Sequence, residues 1–149
     1  MKVLDTVALI LKKKSSEIWS VPSDATVYFA MKMMADKDVG ALLVMENNQL
    51  AGVVSERDYA RKVILLGRSS KGTSVSKIMS TPPFIIGPEC SIDDAMRLMV
   101  INRIRYLPVV CNNQVLGIVS IGDLVNSITV AQDQRIEHLE RYIVGQYPC

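Results

Sequence analysis

The segment GVVSERDYARK at residues 52–62 returns, at the same phase, as GIVSIGDLVNS at residues 117–127. Ser55 to Ser120 and Asp58 to Asp123 are both steps of 65 residues. A shift of 65 without gaps lays residues 19–63 over 84–128, and the agreement reaches well beyond the motif. Ala30-Met31 falls on Ala95-Met96, Met34 on Met99, Leu42 on Leu107, Val44 on Val109, and Asn47-Asn48-Gln49 on Asn112-Asn113-Gln114. Self-similarity at a fixed period constrains a fold more than any local signal does. Two copies in 149 residues imply an intramolecular pseudo-dimer rather than a solenoid. A unit of about 60 residues buries only about 60% of its unfolded surface, so the halves are expected to need each other.

Each copy reads as β-α-β-β-α, an α/β chain of the mixed, α+β kind. A short extended piece (residues 19–21 and 84–86) leads through Pro, Ser and acidic residues into a helix. The apolar stripe of that helix is Val27, Ala30, Met31 and Met34 in the first copy, and Ile92, Ala95, Met96 and Met99 in the second. Spacing of i, i+3, i+4, i+7 is the helical period and marks a core face. Ser91 with Asp94 adds a start signal of the capping-box type. Two apolar runs follow, residues 41–45 and 50–54, matched by 107–110 and 115–119. Asn tolerates positive φ, so the Asn-Asn pairs between them are expected to be hairpin turns. A closing helix starts at Ser-x-x-Asp and in the first copy should run to about Leu66, stopped by Gly67.

The chain then divides into a first repeat with its lead-in helix (1–66), a connector (67–74), a second repeat (75–128) and a C-terminal helix and tail (129–149). Val7, Ile10 and Leu11 match Val75, Ile78 and Met79 if about three residues are inserted near Lys13, making the N-terminal helix the lead-in of copy one. In the tail Ile136, Leu139 and Ile143 share a face, with a Glu137–Arg141 pair and Gly145 as a stop. That stripe should cover the lead-in helix or another subunit.

A formal net charge of +2, with the signs interspersed, gives no polyelectrolyte signature, so nucleic acid is not an expected partner. Cys90, Cys111 and Cys149 are an odd number without C-x-x-C spacing, and His138 is the only histidine, which argues against a zinc site and a disulfide framework. The apolar segment from Val3 to Leu11 is followed, not preceded, by Lys12-Lys13-Lys14, the reverse of a secretory signal. No stretch approaches the ~20 apolar residues that cross a bilayer. A cytoplasmic protein with no membrane partner is expected, or one of an organellar matrix if the chain is a processed fragment.

The repeated Ser-x-x-Asp has two readings. It is a capping box if the hydroxyl accepts from a first-turn amide and the carboxylate reaches back. Yet Asp is a less favoured partner at that position than Glu or Gln, both copies use it, and a Gly six residues earlier recurs with a strand between. Strand, tight turn and helix start can aim unpaired amides at an anion, and a carboxylate there can accept from both hydroxyls of a ribose.

Gly-hydrophobic-hydrophobic-Ser-x-x-Asp closing a β-α-β-β-α unit, twice, with Leu-Pro-Val-Val at residues 107–110, resembles a pair of CBS domains, a Bateman module. The segment from Glu56 to Lys62, with Gly-Arg-Ser-Ser-Lys after it, resembles small stand-alone two-CBS proteins. The resemblance implies a regulatory module without catalysis whose repeats pack through their sheets about a pseudo-twofold axis, leaving two clefts. It implies an adenosine nucleotide (AMP, ADP, ATP or NAD(H)) as ligand, no tightly bound metal, a homodimer, and an unidentified regulated protein. Ser55, Asp58, Ser120 and Asp123 take the positions that contact ribose and phosphate, and Val21, Ala41, Ile86 and Tyr106 those beside adenine.

The two sites are not expected to be equal. Copy one follows its motif with Arg57, Arg61 and Lys62, where copy two has Gly122, Asn126 and Ser127. Copy two carries Arg103 and Arg105 before its Leu-Pro strand, where copy one has Asp38 and Gly40. By the same resemblance Arg105 is the leading phosphate ligand and Arg57 the next, with Arg103 beside them; Arg61 and Lys62 compete with a solvated helix face. Two further classes stand beside the sensor: a constitutive interaction module in which Ser-x-x-Asp only caps, and an enzyme, which would need a base that lone His138 does not supply.

Overall fold

The computed structural model describes residues 5–14 and 17–130. The tail stripe read over residues 136–143, with His138 and Cys149, lies outside them. In chain order the elements are α1 (Val7–Lys13), β1 (Ser20–Pro22), α2 (Val27–Lys37), β2 (Ala41–Glu46), β3 (Gln49–Ser55) and α3 (Glu56–Tyr59), which runs into a π-turn at Ala60–Ile64. A 3₁₀ turn (Val75–Lys77), α4 (Ile92–Asn102), β4 (Tyr106–Cys111), β5 (Gln114–Ser120) and α5 over residues 121–130 complete the second half.

Local chemistry accounts for the boundaries. Thr26 and Ser91, both extended, accept from Phe29 N–H at 3.1 Å and Asp94 N–H at 3.0 Å and start α2 and α4. Both helices end on a left-handed residue, Asp38 and Arg103, each at φ 54. Asn47-Asn48 and Asn112-Asn113 have φ 52 and 62 in both copies, the mirror-image turn that matches strand twist. β2 and β3 pair antiparallel with β1 parallel on the far edge of β2, and β4 and β5 repeat the hairpin with a register shift at the equivalent place. The third strand expected at 84–86 contracts to a single parallel bridge, Ile86 to Val109. Pro82 and Pro83 before it and Pro88 after it withhold the amides a longer ladder would use.

The predicted helix stripes face inward: Val27, Ala30 and Met34 are buried against Leu42, Val44 and Val54, and Ile92, Ala95 and Met99 against Leu107, Val109 and Val119. Complete burial of a side chain the size of Met34 or Met99 contributes roughly 1.5–3 kcal/mol. The opposite faces of the sheets meet each other through Ala41, Leu43 and Val53 with Tyr106, Val115 and Ile118. β2 is thus buried on both sides, which explains its unbroken apolar run.

The lead-ins are crossed. α1, first in sequence and assigned to copy one, packs with Val7 and Ile10 in the core of the second unit, and Val7 N–H donates to Cys90 O at 2.9 Å. Val75 and Ile78 pack in the core of the first unit, and Val75 N–H donates to Ala25 O at 2.8 Å. This crossing explains the glycine of the motif. A Cβ on Gly52 would lie 2.6 Å from Ser80 O, and one on Gly117 would lie 2.9 Å from Leu11 Cδ2. Each glycine admits the segment that arrives from the other half of the chain.

Candidate functional site

β3 ends at Ser55, whose Oγ accepts from Asp58 N–H at 3.2 Å, while Asp58 Oδ2 accepts from Ser55 N–H at 2.9 Å. In the second unit Ser120 and Asp123 make the same exchange at 3.0 and 2.8 Å. Both elements are therefore capping boxes. Each also lies in the wall of a cleft between the repeats.

The first cleft, about 340 Å³, is lined by Ser55, Arg57, Asp58, Arg61 and Lys62 of unit one and by Arg103, Arg105 and Tyr106 of unit two. Two features of local structure aim the cations. The π-turn after α3 carries Arg61 and Lys62, and the left-handed cap at Arg103 swings the chain so that its carbonyl accepts from Arg57 Nη1 at 3.4 Å across the repeats. Lys62 Nζ lies 3.3 Å from Asp58 Oδ1 and donates to Ile78 O at 2.9 Å. Five basic side chains thus share the lining of this cleft with one carboxylate.

The second cleft, about 820 Å³, gathers Ser120 and Asp123 with Gly40 and Ala41 of the first unit. Its charged lining is Glu17, Asp36, Asp38 and Asp123 against Lys14 and Lys37. Lys37 Nζ lies over the Trp19 ring at 4.2 Å from its centre. Lys14 Nζ donates to Asp123 Oδ2 at 2.8 Å.

Tyr106 belongs to both linings. Burial raises its phenol above the usual value; Glu56 and Asp123 push the same way, while Arg105 opposes them. A Cβ on Gly40 would lie 2.2 Å from its oxygen, so the glycine before β2 makes room for this ring.

The structure therefore brings together Ser55, Asp58, Arg57, Arg61, Lys62, Arg103, Arg105 and Tyr106, and places Ser120, Asp123 and Ala41 in the other cleft. Val21 and Ile86 line neither. Val21 is 1% exposed and turned toward the helices because strand alternation puts it in phase with the core. Ile86 packs on the second core beside its bridge. In their stead, Val53, Pro83, Phe84 and Ile104 supply the apolar wall of the first cleft. An exposed Phe84 directly after Pro82-Pro83 was the available signal for it. Among the described residues no three His, Cys, Asp or Glu side chains come together as metal ligands would, and no helix is long and apolar enough to cross a membrane.

The family model described as CBS domain matches residues 12–64 and 75–130. A mitochondrial CBS domain-containing protein of Arabidopsis thaliana is 41% identical over 95% of this chain and 73% of its own length. A CBS domain-containing protein of Bacillus subtilis is 36% identical over 74% of this chain and 78% of its own. Among solved structures, a CBS-domain protein of Burkholderia ambifaria is 46% identical, covers 86% of this chain and 96% of its own, and superposes with a TM-score of 0.83. A hexameric CBS-CP12 protein of bloom-forming cyanobacteria is 30% identical over 82% of this chain and 71% of its own, with a TM-score of 0.73. With crossed lead-ins, two sheets face to face and a family match in each half, the chain belongs to the CBS domain family, a family of regulatory modules, as a tandem pair.

Proposed function

We propose that the chain is a non-catalytic sensor of an adenosine nucleotide, AMP, ADP, ATP or NAD(H), bound in the first cleft. One observation carries the reading: Arg57, Arg61, Lys62, Arg103 and Arg105, drawn from both repeats, line the same cleft as Ser55 and Asp58. Asp58 is the ribose acceptor, the arginines take the phosphates, and Val53, Phe84 and Ile104 face the base. A volume of about 340 Å³ falls in the range of small-molecule sites, about 300–1,000 Å³. Micromolar affinity needs about 8 kcal/mol, and hydrogen bonds to charged groups contribute roughly 1.5–3 kcal/mol each. Two ribose bonds, two phosphate contacts and a buried base suffice.

Because both repeats supply ligands, a bound nucleotide favours the repeat packing that brings Arg105 to Asp58. It shifts that equilibrium only by its differential affinity for the two arrangements. The readout is a homodimer interface or a regulated partner protein, in the cytoplasm or an organellar matrix. Calorimetry with AMP, ADP, ATP and NAD(H) tests the site. Binding by the wild type and its loss in a folded Asp58→Asn variant are expected; no heat with any of them refutes the reading.

The capping boxes favour a second reading, since each Ser-x-x-Asp is already satisfied by its own helix start. The protein is then a constitutive interaction module. A melting temperature unmoved by every adenine nucleotide supports that one, because a ligand that binds the native state must raise apparent stability.

A further inference from the structure

Lys14 follows α1 and reaches into the second cleft. Its ammonium donates to Asp123 Oδ2 at 2.8 Å and to the Ile118 carbonyl at 3.0 Å. Packing sets this position. Leu11, one turn earlier, lies against Gly117 of β5, and Val7 and Ile10 anchor α1 in the core of the second unit. In the first cleft the carboxylate pairs instead with Lys62 of its own helix, through the other carboxylate oxygen and at the longer distance of 3.3 Å. The second carboxylate is thus held by a side chain from 109 residues away, at the oxygen that also closes the capping box.

We propose that Lys14 is an internal occupant of the second cleft, competing with a ligand for Asp123 and so deciding that the first cleft fills first. The proposal rests on the adenosine-nucleotide reading above. Lys14 and Asp123 are 37% and 24% exposed, so the pair is a weak one. Displacing an exposed ion pair costs a ligand at most about fivefold in affinity, which makes Lys14 a gate and not a plug. The ammonium also balances part of the charge on Glu17, Asp36 and Asp38. Adenosine, which has the ribose and no phosphate, is therefore the probe that reads Asp123 in this cleft.

Two measurements decide it. The first needs no ligand: amine acylation followed by peptide mass spectrometry should find Lys14 slower than Lys12 and Lys13 in the wild type, and equal to them in Asp123→Asn. Equal rates in the wild type overturn the proposal. The second uses Asp58→Asn chains, in which the first cleft is disabled. Adding Lys14→Ala should tighten adenosine binding about fivefold, and adding Asp123→Asn should abolish it. Unchanged affinity on adding Lys14→Ala overturns the proposal, and so does a protected Lys14 with no adenosine bound by any variant, which would leave a structural tether. Nucleotide binding by the wild type is read separately, so the failure of the first-cleft reading is distinguishable from the failure of this one.

Discussion

The two clefts follow one repeated plan and come out with opposite electrostatics. Their cap elements agree closely, Ser55 with Asp58 and Ser120 with Asp123. What differs is the strip that precedes the facing hairpin: Arg103 and Arg105 look toward the first cleft, Asp38 and Gly40 toward the second. Each cleft takes its cap from one repeat and that strip from the other. A substitution in one repeat therefore retunes the cleft that carries the other repeat's motif.

The largest effect expected on this contrast comes from Arg105→Glu. On the proposed reading it replaces a charge-assisted phosphate contact with a repulsive one, and ATP affinity should fall about 100-fold by calorimetry. The converse change, Asp38→Arg, should give the second cleft measurable phosphate affinity, since Arg103 already occupies the same backbone geometry. If Arg105→Glu leaves affinity intact, the charge contrast has no functional meaning.

Gly40→Ala comes next. The added Cβ meets the Tyr106 hydroxyl, and overpacking of this sort costs roughly 1–3 kcal/mol in denaturant unfolding. Tyr106→Phe in the same chain should recover part of the loss. An additive double variant would mean that the ring does not depend on that glycine.

Ser55→Ala and Ser120→Ala sharpen the likeness instead of the contrast. Each removes one N-cap acceptor and should cost about 1 kcal/mol in equilibrium unfolding, equally in both repeats. A clear inequality would show that one cap is supported by its cleft and the other is not.

The smallest effect is one of pH. The Tyr106 phenol is harder to ionise in the folded chain, first because it is buried and then because of Glu56. A raised folded value contributes stability that is fully present below the unfolded phenol value, about 10, and is lost as pH rises past it. Stability should decline above that pH in the wild type and decline less in Tyr106→Phe. Phenolate absorbance should show Tyr106 shifted further upward in Arg105→Ala, which removes a cation that favours ionisation.

Much of the fold was legible because its signals are local. Asn-Asn turns, Met stripes and capping serines act within a few residues, and the 65-residue repeat made each of them visible twice. The lining of the first cleft was legible as a set of residue types, with Ser55, Asp58 and five basic side chains named by motif and position. Val21 and Ile86, expected beside adenine, line neither cleft: strand phase turns Val21 to the first core, and Ile86 packs on the second beside its bridge. Ile104 went unnamed because the segment around it was read for the charge of Arg103 and Arg105, and Phe84 because it was counted into the short extended piece at 84–86.

The duplicated sequence by itself determined a pair of like units, their element order, their buried helix faces and the inequality of their charges. Only the tertiary structure decided that α1 serves the second unit and Val75 to Ile78 the first, that Arg105 shares a cleft with Asp58, and that Lys14 rests on Asp123. The physical reason is that periodicity and capping are short-range, whereas the partner of a buried face or of a charge is settled by which surfaces exclude water together when the two sheets close.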